Sequence, residues 1–221
     1  MKWESYVRSS LKCDLCQGQN LLDAAAHPLF MEAAPNSTDI LFIWEAPNKD
    51  DTCNPDKQHI TVNPDTDPSG TFFHELFVEE LGLEVSRHLF VTNSVLCLPR
   101  AKGNNNPVTA TQMHCCSERL RSLIDLFAPR IVCPLGAKAL RATALIEDHG
   151  FRRMGDAVNA ERPYVWYDRL LFPLYHTSSR ARNPFNGRPE ERQRADWKQL
   201  RRLYDALDLK ENPLGNQRMI L

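Results

Sequence analysis

The stretch Ile40-Leu41-Phe42-Ile43-Trp44, followed at once by Glu45-Ala46-Pro47-Asn48, predicts both the fold class and the position of a functional site. A short continuous run of apolar residues is typical of a strand buried on both faces, as in a parallel sheet. Pro47 ends the run, because proline has no backbone N–H to donate to a neighbouring strand. Open α/β sheets bind ligands at the carboxyl ends of their strands. The residues that follow Trp44 are therefore expected to border a binding site.

Three more apolar runs occur further along the chain, at 89–96, 130–135 and 164–174. The last one turns at Asp168-Arg169, which predicts a hairpin that feeds a last core strand. Apolar residues at helical spacing occupy the segments 71–81, 109–127, 137–147 and 189–207. This alternation predicts an α/β protein of the three-layer α/β/α sandwich type, with a central four-stranded, mostly parallel sheet, in a single domain over residues 1–221.

Charge and hydropathy exclude several classes of protein. The 27 Lys and Arg residues nearly balance the 28 Asp and Glu residues, so the net charge of −1 predicts no partner by itself. No apolar run approaches the ~20 residues of a membrane helix, and Met1-Lys2-Trp3-Glu4 lacks the apolar stretch of a signal peptide. We therefore expect a cytoplasmic protein that does not bind a membrane.

Seven cysteines are unusual for an intracellular chain of this size. In a reducing compartment, clustered cysteines are more often metal ligands than disulfides. The pair Cys13-x-x-Cys16, the single Cys97 and the doublet Cys115-Cys116 favour a four-thiolate site with one local ligand pair and two distant ligands. Four thiolates suit tetrahedral zinc and a 4Fe–4S cluster equally well, so both remain open. The isolated Cys53 and Cys133 are expected to be loop or core thiols.

The segment 47–69 has no hydrophobic periodicity and is rich in proline and aspartate. A loop of this length inside a compact domain is usually functional or disordered. Because it leaves the carboxyl end of the first strand, it is expected to form part of the site.

Five segments occur in the order that is typical of the family 4 uracil-DNA glycosylases of bacteria and archaea. They are Cys13-x-x-Cys16, Glu45-Ala46-Pro47 within a Gly-Glu-Ala-Pro-Gly-like motif, Thr92-Asn93 to Cys97-Leu98-Pro99, Cys116 to Leu140 with its Leu135-Gly136 turn, and Tyr175-His176-Thr177-Ser178. The chain resembles this family over residues 13–185, and the predicted helix 189–207 follows. The resemblance implies a DNA repair enzyme that flips a nucleotide and hydrolyses the N-glycosidic bond of uracil or another modified base, leaving an abasic site.

The resemblance also implies a 4Fe–4S cluster on Cys13, Cys16, Cys97 and Cys116, which would tie the N-terminal arm to the sheet. Cys116 matches the family better than Cys115, by its spacing to the Leu and Pro that follow. Zinc remains the rival occupant.

The family's base-binding and catalytic positions fall on a small set of residues here. The resemblance makes Asn93 the reader of the base edge and His176 the donor to the base O2, and it places Ala46 and Asn48 in the base pocket. Glu45 is expected to line that pocket and to orient water or the base. The family's additional acidic residue falls on Asp51, with Asp50 as the alternative.

Contacts to DNA need local positive charge. Five arginines follow His176 within a short stretch: Arg180, Arg182, Arg188, Arg192 and Arg194. The resemblance implies that the loop after His176 wedges into the duplex. Ser178, Ser179, Arg180 and Arg182 are accordingly the predicted DNA-binding residues, with 180–185 as the wedge, in a protein that acts as a monomer on DNA.

Three departures from the family pattern change the predicted base pocket. Trp44 and Asn48 stand where the family has glycines, and Thr177 stands in place of a proline. The family's stacking Phe has no counterpart in register, and Phe72 or His59 is a candidate replacement. Two substrates therefore remain open: uracil in a remodelled pocket, or a bulky modified pyrimidine in foreign (phage) DNA.

Two readings from other classes also remain. One is a non-catalytic DNA-binding or damage-sensing module that keeps the cluster. The other is a zinc-stabilised hydrolase unrelated to DNA.

Overall fold

The computed structural model describes residues 1–16, 19–24, 26–49, 52, 59–60, 62, 65, 67–102, 106–185 and 187–211. Asp50, Asp51 and Cys53 lie outside the described residues, so the predictions made for them stay predictions.

The described part of the chain forms a five-stranded sheet with the strand order β2-β1-β3-β5-β4. The strands are β1 (Ile40–Trp44), β2 (Val91–Asn93), β3 (Ile131–Pro134), β4 (Tyr164–Trp166) and β5 (Arg169–Leu171). Parallel pairing joins β2, β1, β3 and β5, whereas β4 pairs antiparallel with β5. The α/β class is confirmed, but the prediction of four strands is wrong. Tyr167 and Asp168 both have positive φ (49° and 53°), which is the hairpin geometry that folds β4 back onto the sheet as an extra edge strand.

Parallel register brings the carboxyl ends of the central strands together. Trp44, the last residue of β1, pairs with Asn93, the last residue of β2, and Ile43 pairs with Pro134 in β3. The predicted strand 89–96 is shorter than expected. It ends at Asn93, opposite the last residue of β1, and the backbone N–H groups of Ser94 and Val95 still donate to the carbonyls of Trp44 and Glu45, at 2.7 and 3.1 Å.

Helices cover both faces of the sheet. They are α1 (Trp3–Leu11), α2 (Pro68–Glu75), α3 (Val85–His88), α4 (Ala110–Phe127), α5 (Ala137–Thr143), α6 (Met154–Asn159) and α7 (Glu190–Glu211). Alternate residues of β1 enter two apolar clusters. Leu41 and Ile43 pack with side chains of α1, α4, α5 and α6, whereas Ile40 and Phe42 pack with side chains of α2 and α7. Since successive strand residues point to opposite faces, the clusters are two layers on either side of the sheet.

The helix predicted over 71–81 begins earlier than its apolar pattern, at Pro68. The Asp67 carboxylate accepts hydrogen bonds from the backbone N–H groups of Ser69 and Gly70 and so caps the helix. The helix continues as a π-helical turn over Leu76–Glu80. Its predicted apolar face, from Phe72 to Leu81, is buried as expected. No helix of the described residues is long and apolar enough to cross a membrane.

Backbone hydrogen bonds hold the N-terminal arm against the segment that follows β2. The Arg100 N–H donates to the Leu21 carbonyl at 2.8 Å, and the Leu29 N–H donates to the Leu96 carbonyl at 2.9 Å. Helix α1 lies against α4, where Arg119 donates to the Ser9 hydroxyl at 3.3 Å. The arm therefore docks beside Cys97 through the polypeptide backbone itself.

Candidate active site

A cavity of about 170 Å³ lies at the carboxyl edge of the sheet. Its lining consists of Trp44, Ala46, Asn48, Ile60, Val62, Asp67, Ser69, Asn93 and His176. Typical ligand pockets measure about 300–1,000 Å³, so this cavity has room for one small ring-sized group. Four of the predicted site residues, Ala46, Asn48, Asn93 and His176, meet here.

Asn93 is positioned by the sheet. It ends β2 opposite Trp44 and is only 4% exposed. Its side-chain amide offers both a donor and an acceptor, the pairing that reads the edge of a base.

His176 is held in one tautomer by its own loop. The backbone N–H of Ser178 donates to Nδ1 at 3.0 Å, so the neutral ring carries its proton on Nε2. Burial lowers the pKa of His176, and the nearby Asp67 carboxylate partly opposes that effect. The site therefore presents a neutral imidazole that donates from Nε2.

Gly136 makes room for this histidine. It adopts φ +88°, and a Cβ there would lie 3.2 Å from the Cβ of His176. A side chain at this position is strained by the backbone and pushes against His176. The turn between β3 and α5 thus requires a glycine.

Thr177 connects the His176 loop to the start of α2. Its buried hydroxyl donates to the Ser69 carbonyl at 2.8 Å, one residue beyond the Pro68 that opens the helix. Asp67 and Ser69 both line the cavity, so this bond positions one of its walls. The family's proline at position 177 has no hydroxyl to make it.

Trp44 forms another wall. Its ring meets the His176 ring edge-on, with centroids 5.1 Å apart and an interplanar angle of 88°, and it lies 5.3 Å from the ring of Phe73.

Glu45 lies beside the cavity and is not among its lining residues. Its carboxyl accepts a hydrogen bond from the Val108 N–H and lies near Lys138, whose Nζ donates to the Val108 carbonyl at 2.8 Å. Burial raises the pKa of Glu45, and the Lys138 charge and the Val108 N–H partly oppose the rise. Lys138 was missed by sequence reasoning. Its place in the first turn after Gly136 was the available signal.

The acidic side chain that the structure brings into the cavity is Asp67, a second residue that sequence reasoning missed. It belongs to the aspartate-rich segment 47–69, but no motif distinguished it there. Its contacts with the start of α2 and with His176 appear only after folding.

Neither candidate for the stacking role reaches the cavity. Phe72 is 2% exposed, and its ring is covered by the guanidinium groups of Arg182 and Arg194, at 4.4 and 5.6 Å from its centroid. His59 bridges to Phe30 and lines a different cavity near α1. Both side chains therefore have other structural roles.

The loop after His176 exposes both polar and apolar side chains to solvent. Ser179 and Arg180 are exposed, Ser178 and Arg182 are half-buried, and Phe185 is 90% exposed. The Arg182 guanidinium also lies 3.4 Å from the Glu190 carboxylate.

Two other arginines of this region are bound within the fold. Arg188 pairs with the buried Asp196, and Arg194 pairs with Glu75, Glu79, Glu80 and Glu190. These ion pairs hold α7 in place, whereas Arg180 is exposed in the loop after His176.

A group of cysteine thiols lies where the N-terminal arm, the segment after β2 and helix α4 meet. Every pair among Cys13, Cys16, Cys97 and Cys116 is close enough to interact electrostatically, whereas Cys115 interacts with Cys16 and Cys116. Burial, reinforced by the neighbouring thiols, raises the pKa of Cys16 and Cys97 to about 12 and that of Cys116 to about 11. Within the described ranges, no group of three or more His, Cys, Asp or Glu side chains has the arrangement of a formed metal site.

Comparison with known proteins agrees with this geometry. The family model for the uracil DNA glycosylase superfamily matches residues 30–201, which include the sheet, the cavity and most of α7. A Type-4 uracil-DNA glycosylase of Sulfurisphaera tokodaii is 28% identical over 193 residues, which cover 83% of this chain and 76% of that enzyme. With a family match over most of its length, the chain belongs to the uracil DNA glycosylase superfamily.

Proposed function

We propose that this protein is a DNA glycosylase that hydrolyses the N-glycosidic bond of a flipped uracil or another modified base and leaves an abasic site. The observation that carries the proposal is the meeting of Asn93 and His176 in one small cavity at the carboxyl edge of the sheet. Membership of the superfamily and the similarity to a uracil-DNA glycosylase support the same activity.

His176 stabilises the leaving base. When the N-glycosidic bond breaks, its electron pair stays on the base, and negative charge spreads to the base oxygens. A preorganised neutral donor aimed at that charge lowers the barrier, and the Ser178 N–H on Nδ1 keeps the donating proton on Nε2. Asn93 holds the base by its edge in the orientation that presents an oxygen to this donor.

A carboxylate completes the hydrolysis by orienting the water that adds to the sugar and by accepting the proton that this water loses, and the released base anion takes up a proton from solvent. We propose Asp51 for this role, with Asp50 as the alternative in register. Glu45 assists from beside the cavity, where its contacts with Val108 and Lys138 hold the chain that leads from β1 into the pocket.

The loop after His176 grips the DNA. The exposed Ser179 and Arg180, with Ser178 and Arg182, are proposed to bind backbone phosphates on either side of the flipped nucleotide. The exposed Phe185 ring is suited to fill the space that the flipped base leaves in the stack. We propose that a single copy of the chain performs these steps in the cytoplasm.

The thiol group suits a 4Fe–4S cluster held by Cys13, Cys16, Cys97 and Cys116. The mutual proximity of these four thiols supports the assignment, and the resemblance favours Cys116 over Cys115, which is hydrogen-bonded to Cys16 and remains the alternative. Burial raises the pKa of Cys16, Cys97 and Cys116, so these thiols would lose their protons only to a bound cationic centre, which would offset the charge of the thiolates. The group would supply a covalent link between the N-terminal arm and the sheet.

The test is an anaerobic purification followed by incubation with duplex and single-stranded oligonucleotides that each contain one uracil or one bulky modified pyrimidine. Alkali-labile cleavage at uracil supports the proposal in its plain form. Cleavage at the bulky base alone favours the other candidate substrate, a bulky modified pyrimidine in foreign (phage) DNA. Tight binding without cleavage by the intact protein, unchanged in a His176→Ala variant, would favour a non-catalytic binding module. A colourless protein that contains zinc and has no affinity for DNA would contradict both the proposed glycosylase activity and the proposed 4Fe–4S cluster.

A further inference from the structure

Trp44 is the largest side chain that lines the cavity. It is the last residue of β1, and its ring lies between two fixed aromatic neighbours, Phe73 at 5.3 Å and His176 at 5.1 Å. Phe73 is fully buried, and His176 is held by the Ser178 N–H. The indole therefore has little freedom to move away from an entering ligand.

The remaining walls near Trp44 are aliphatic or polar. Ile60 and Val62 approach from the segment after β1, and Asn93 and Asp67 supply the polar groups. In the part of the chain that the structure describes, Trp44 and His176 are thus the aromatic surfaces of this cavity. Only about 170 Å³ remains between all these side chains.

The N–H that distinguishes the indole from a phenyl ring makes no hydrogen bond that would stabilise the fold. Among the described residues, its N–H is buried without a hydrogen-bond partner. A buried unsatisfied donor lowers stability. By contrast, the indole N–H of Trp166 donates to the Glu147 carbonyl at 2.7 Å. The size of the Trp44 ring is therefore better explained by the shape of the cavity than by the stability of the core.

We propose that Trp44 is a specificity-determining residue that restricts the cavity to pyrimidines with small substituents or none, of the size of uracil. This inference rests on the proposed glycosylase activity and narrows its substrate class. The ring acts by exclusion: it occupies the volume that a larger base or a bulky substituent needs, and it keeps the His176 ring edge-on beside the base.

The experiment compares two substitutions that shorten the wall in steps, Trp44→Phe and Trp44→Ala. Each variant is assayed by single-turnover cleavage of duplexes containing uracil, 5-hydroxymethyluracil or a glycosylated hydroxymethyl-pyrimidine. We expect the ratio of kcat/KM for the larger bases over that for uracil to rise from wild type to Trp44→Phe and again to Trp44→Ala, by about 10-fold or more in total.

Trp197→Phe is the matched control. The indole N–H of Trp197 is also buried without a described partner, but its ring stacks on Phe42 inside the core, with centroids 5.3 Å apart and an interplanar angle of 9°. It is not among the residues that line the cavity. This control removes the same kind of group from the fold, and we expect its base preference to equal that of the wild type.

A binding measurement keeps the outcome clear if Trp44→Ala folds poorly or turnover is slow. Equilibrium dialysis with free uracil and free 5-hydroxymethyluracil is carried out on wild type and Trp44→Phe, and the larger base is expected to gain affinity only in the variant.

Wild-type cleavage of uracil with the same size preference in all variants would overturn the inference and leave the proposed function standing. A wild type that prefers the bulky base would also overturn it. A wild type that neither cleaves nor binds any of these bases would overturn both.

Discussion

The cavity at the carboxyl edge of the sheet and the thiol group are two regions assembled from distant segments, but by different means. The cavity lies where parallel strands end together, so the pairing of Trp44 with Asn93 already brings its walls close. The thiols come from the arm, the segment after β2 and helix α4, and they meet only because the arm docks by its backbone. The sheet therefore fixes one side of the cavity, and the segment before α2 supplies the other side, whereas the thiol group depends on the arm staying in place.

The strongest test of the difference between the two regions removes the His176 imidazole from the cavity and leaves the thiol group unchanged. His176→Ala is expected to lower kcat by about 100- to 1,000-fold, because a preorganised donor to developing charge is lost. Bound iron and melting temperature should change little. The measurement is single-turnover cleavage of uracil-containing DNA with metal analysis of the same sample. The control His114→Ala removes an exposed histidine of α4 and should keep full activity. Full activity of His176→Ala would contradict the role assigned to it.

The converse experiment removes a thiol and leaves the cavity intact. Cys97→Ala is expected to lose bound iron and about 3 kcal/mol of unfolding free energy, because metal binding by preformed ligands contributes to folding. The control Cys133→Ala changes a buried thiol of β3. This thiol lies in the apolar cluster of Ile40 and Phe42, on the face of the sheet away from Cys116, so the variant should retain the iron. Iron content and urea denaturation of both variants provide the check. Equal iron in the two would argue against a thiolate site at Cys97.

A subtler change tests how closely the cavity depends on one turn. Gly136→Ala is expected to cost about 1–2 kcal/mol, because φ +88° disfavours any side chain. It should also lower kcat, since the new Cβ presses on His176 at 3.2 Å. Gly150→Ala is the control, with a similar φ of +81° but no atom within 4 Å of the added Cβ. A comparable loss of kcat in both variants would show that backbone strain, and not contact with His176, is responsible.

Thr177→Val sharpens the link between the His176 loop and α2. The variant keeps the shape of the side chain but leaves the Ser69 carbonyl without its hydroxyl donor, at a cost of about 1–2 kcal/mol. Thermal denaturation gives the stability, and KM for a uracil duplex reports on the shifted wall. A variant as stable as the wild type would indicate that the bond contributes nothing net.

The smallest expected effect is a pH dependence that belongs to the cavity. Burial lowers the pKa of His176 in the folded state below its ordinary value of 6.5. As the pH is lowered, His176 in the unfolded chain therefore binds a proton at a higher pH than His176 in the folded chain. Stability from this group is fully present above about pH 6.5 and declines as the pH falls toward the folded pKa. His176→Gln cannot titrate, so the difference in unfolding free energy between it and the wild type should shrink as the pH is lowered. A difference that is constant from pH 8 to pH 5 would contradict a depressed pKa.

The central features of the fold were predictable because they depend on local patterns. The run at Ile40–Trp44 is strand β1 with the predicted bounds, and the predicted helix over 109–127 is α4 with Thr109 as its cap. Asn93 and His176 were assigned to one site by the resemblance to a family, and the predicted run 89–96 still enclosed Asn93, which the structure places at the end of β2. The resemblance to a family added the roles of these residues.

Other features could not be read from local patterns. Phe72 has the aromatic ring that stacking on a base needs. Its position in α2 buries that ring in the core beneath Arg182 and Arg194, away from the cavity. Glu45 directly follows β1, but its carboxyl contacts the Val108 N–H and lies near Lys138. These two partners lie 63 and 93 positions further along the chain, so they cannot be predicted from the residues next to Glu45. The hairpin over 164–174 was predicted, with its turn one residue later than the observed Tyr167 and Asp168, but its first strand was not expected to join the sheet as a fifth strand.

The sequence by itself determined the central strands β1 and β3, the buried face of each main helix, the edge of the sheet at which the cavity lies, and the cysteines available for a metal. These follow from the spacing of apolar residues and from the chemistry of each side chain. Only the tertiary structure decided that Trp44 and Asp67 wall the cavity beside His176, that Thr177 fastens α2 to that wall, and that thiols from the arm, the segment after β2 and helix α4 meet. The reason is physical: hydrogen bonds and ring contacts act over a few ångströms between segments far apart in the chain, and their geometry exists only once the layers have packed.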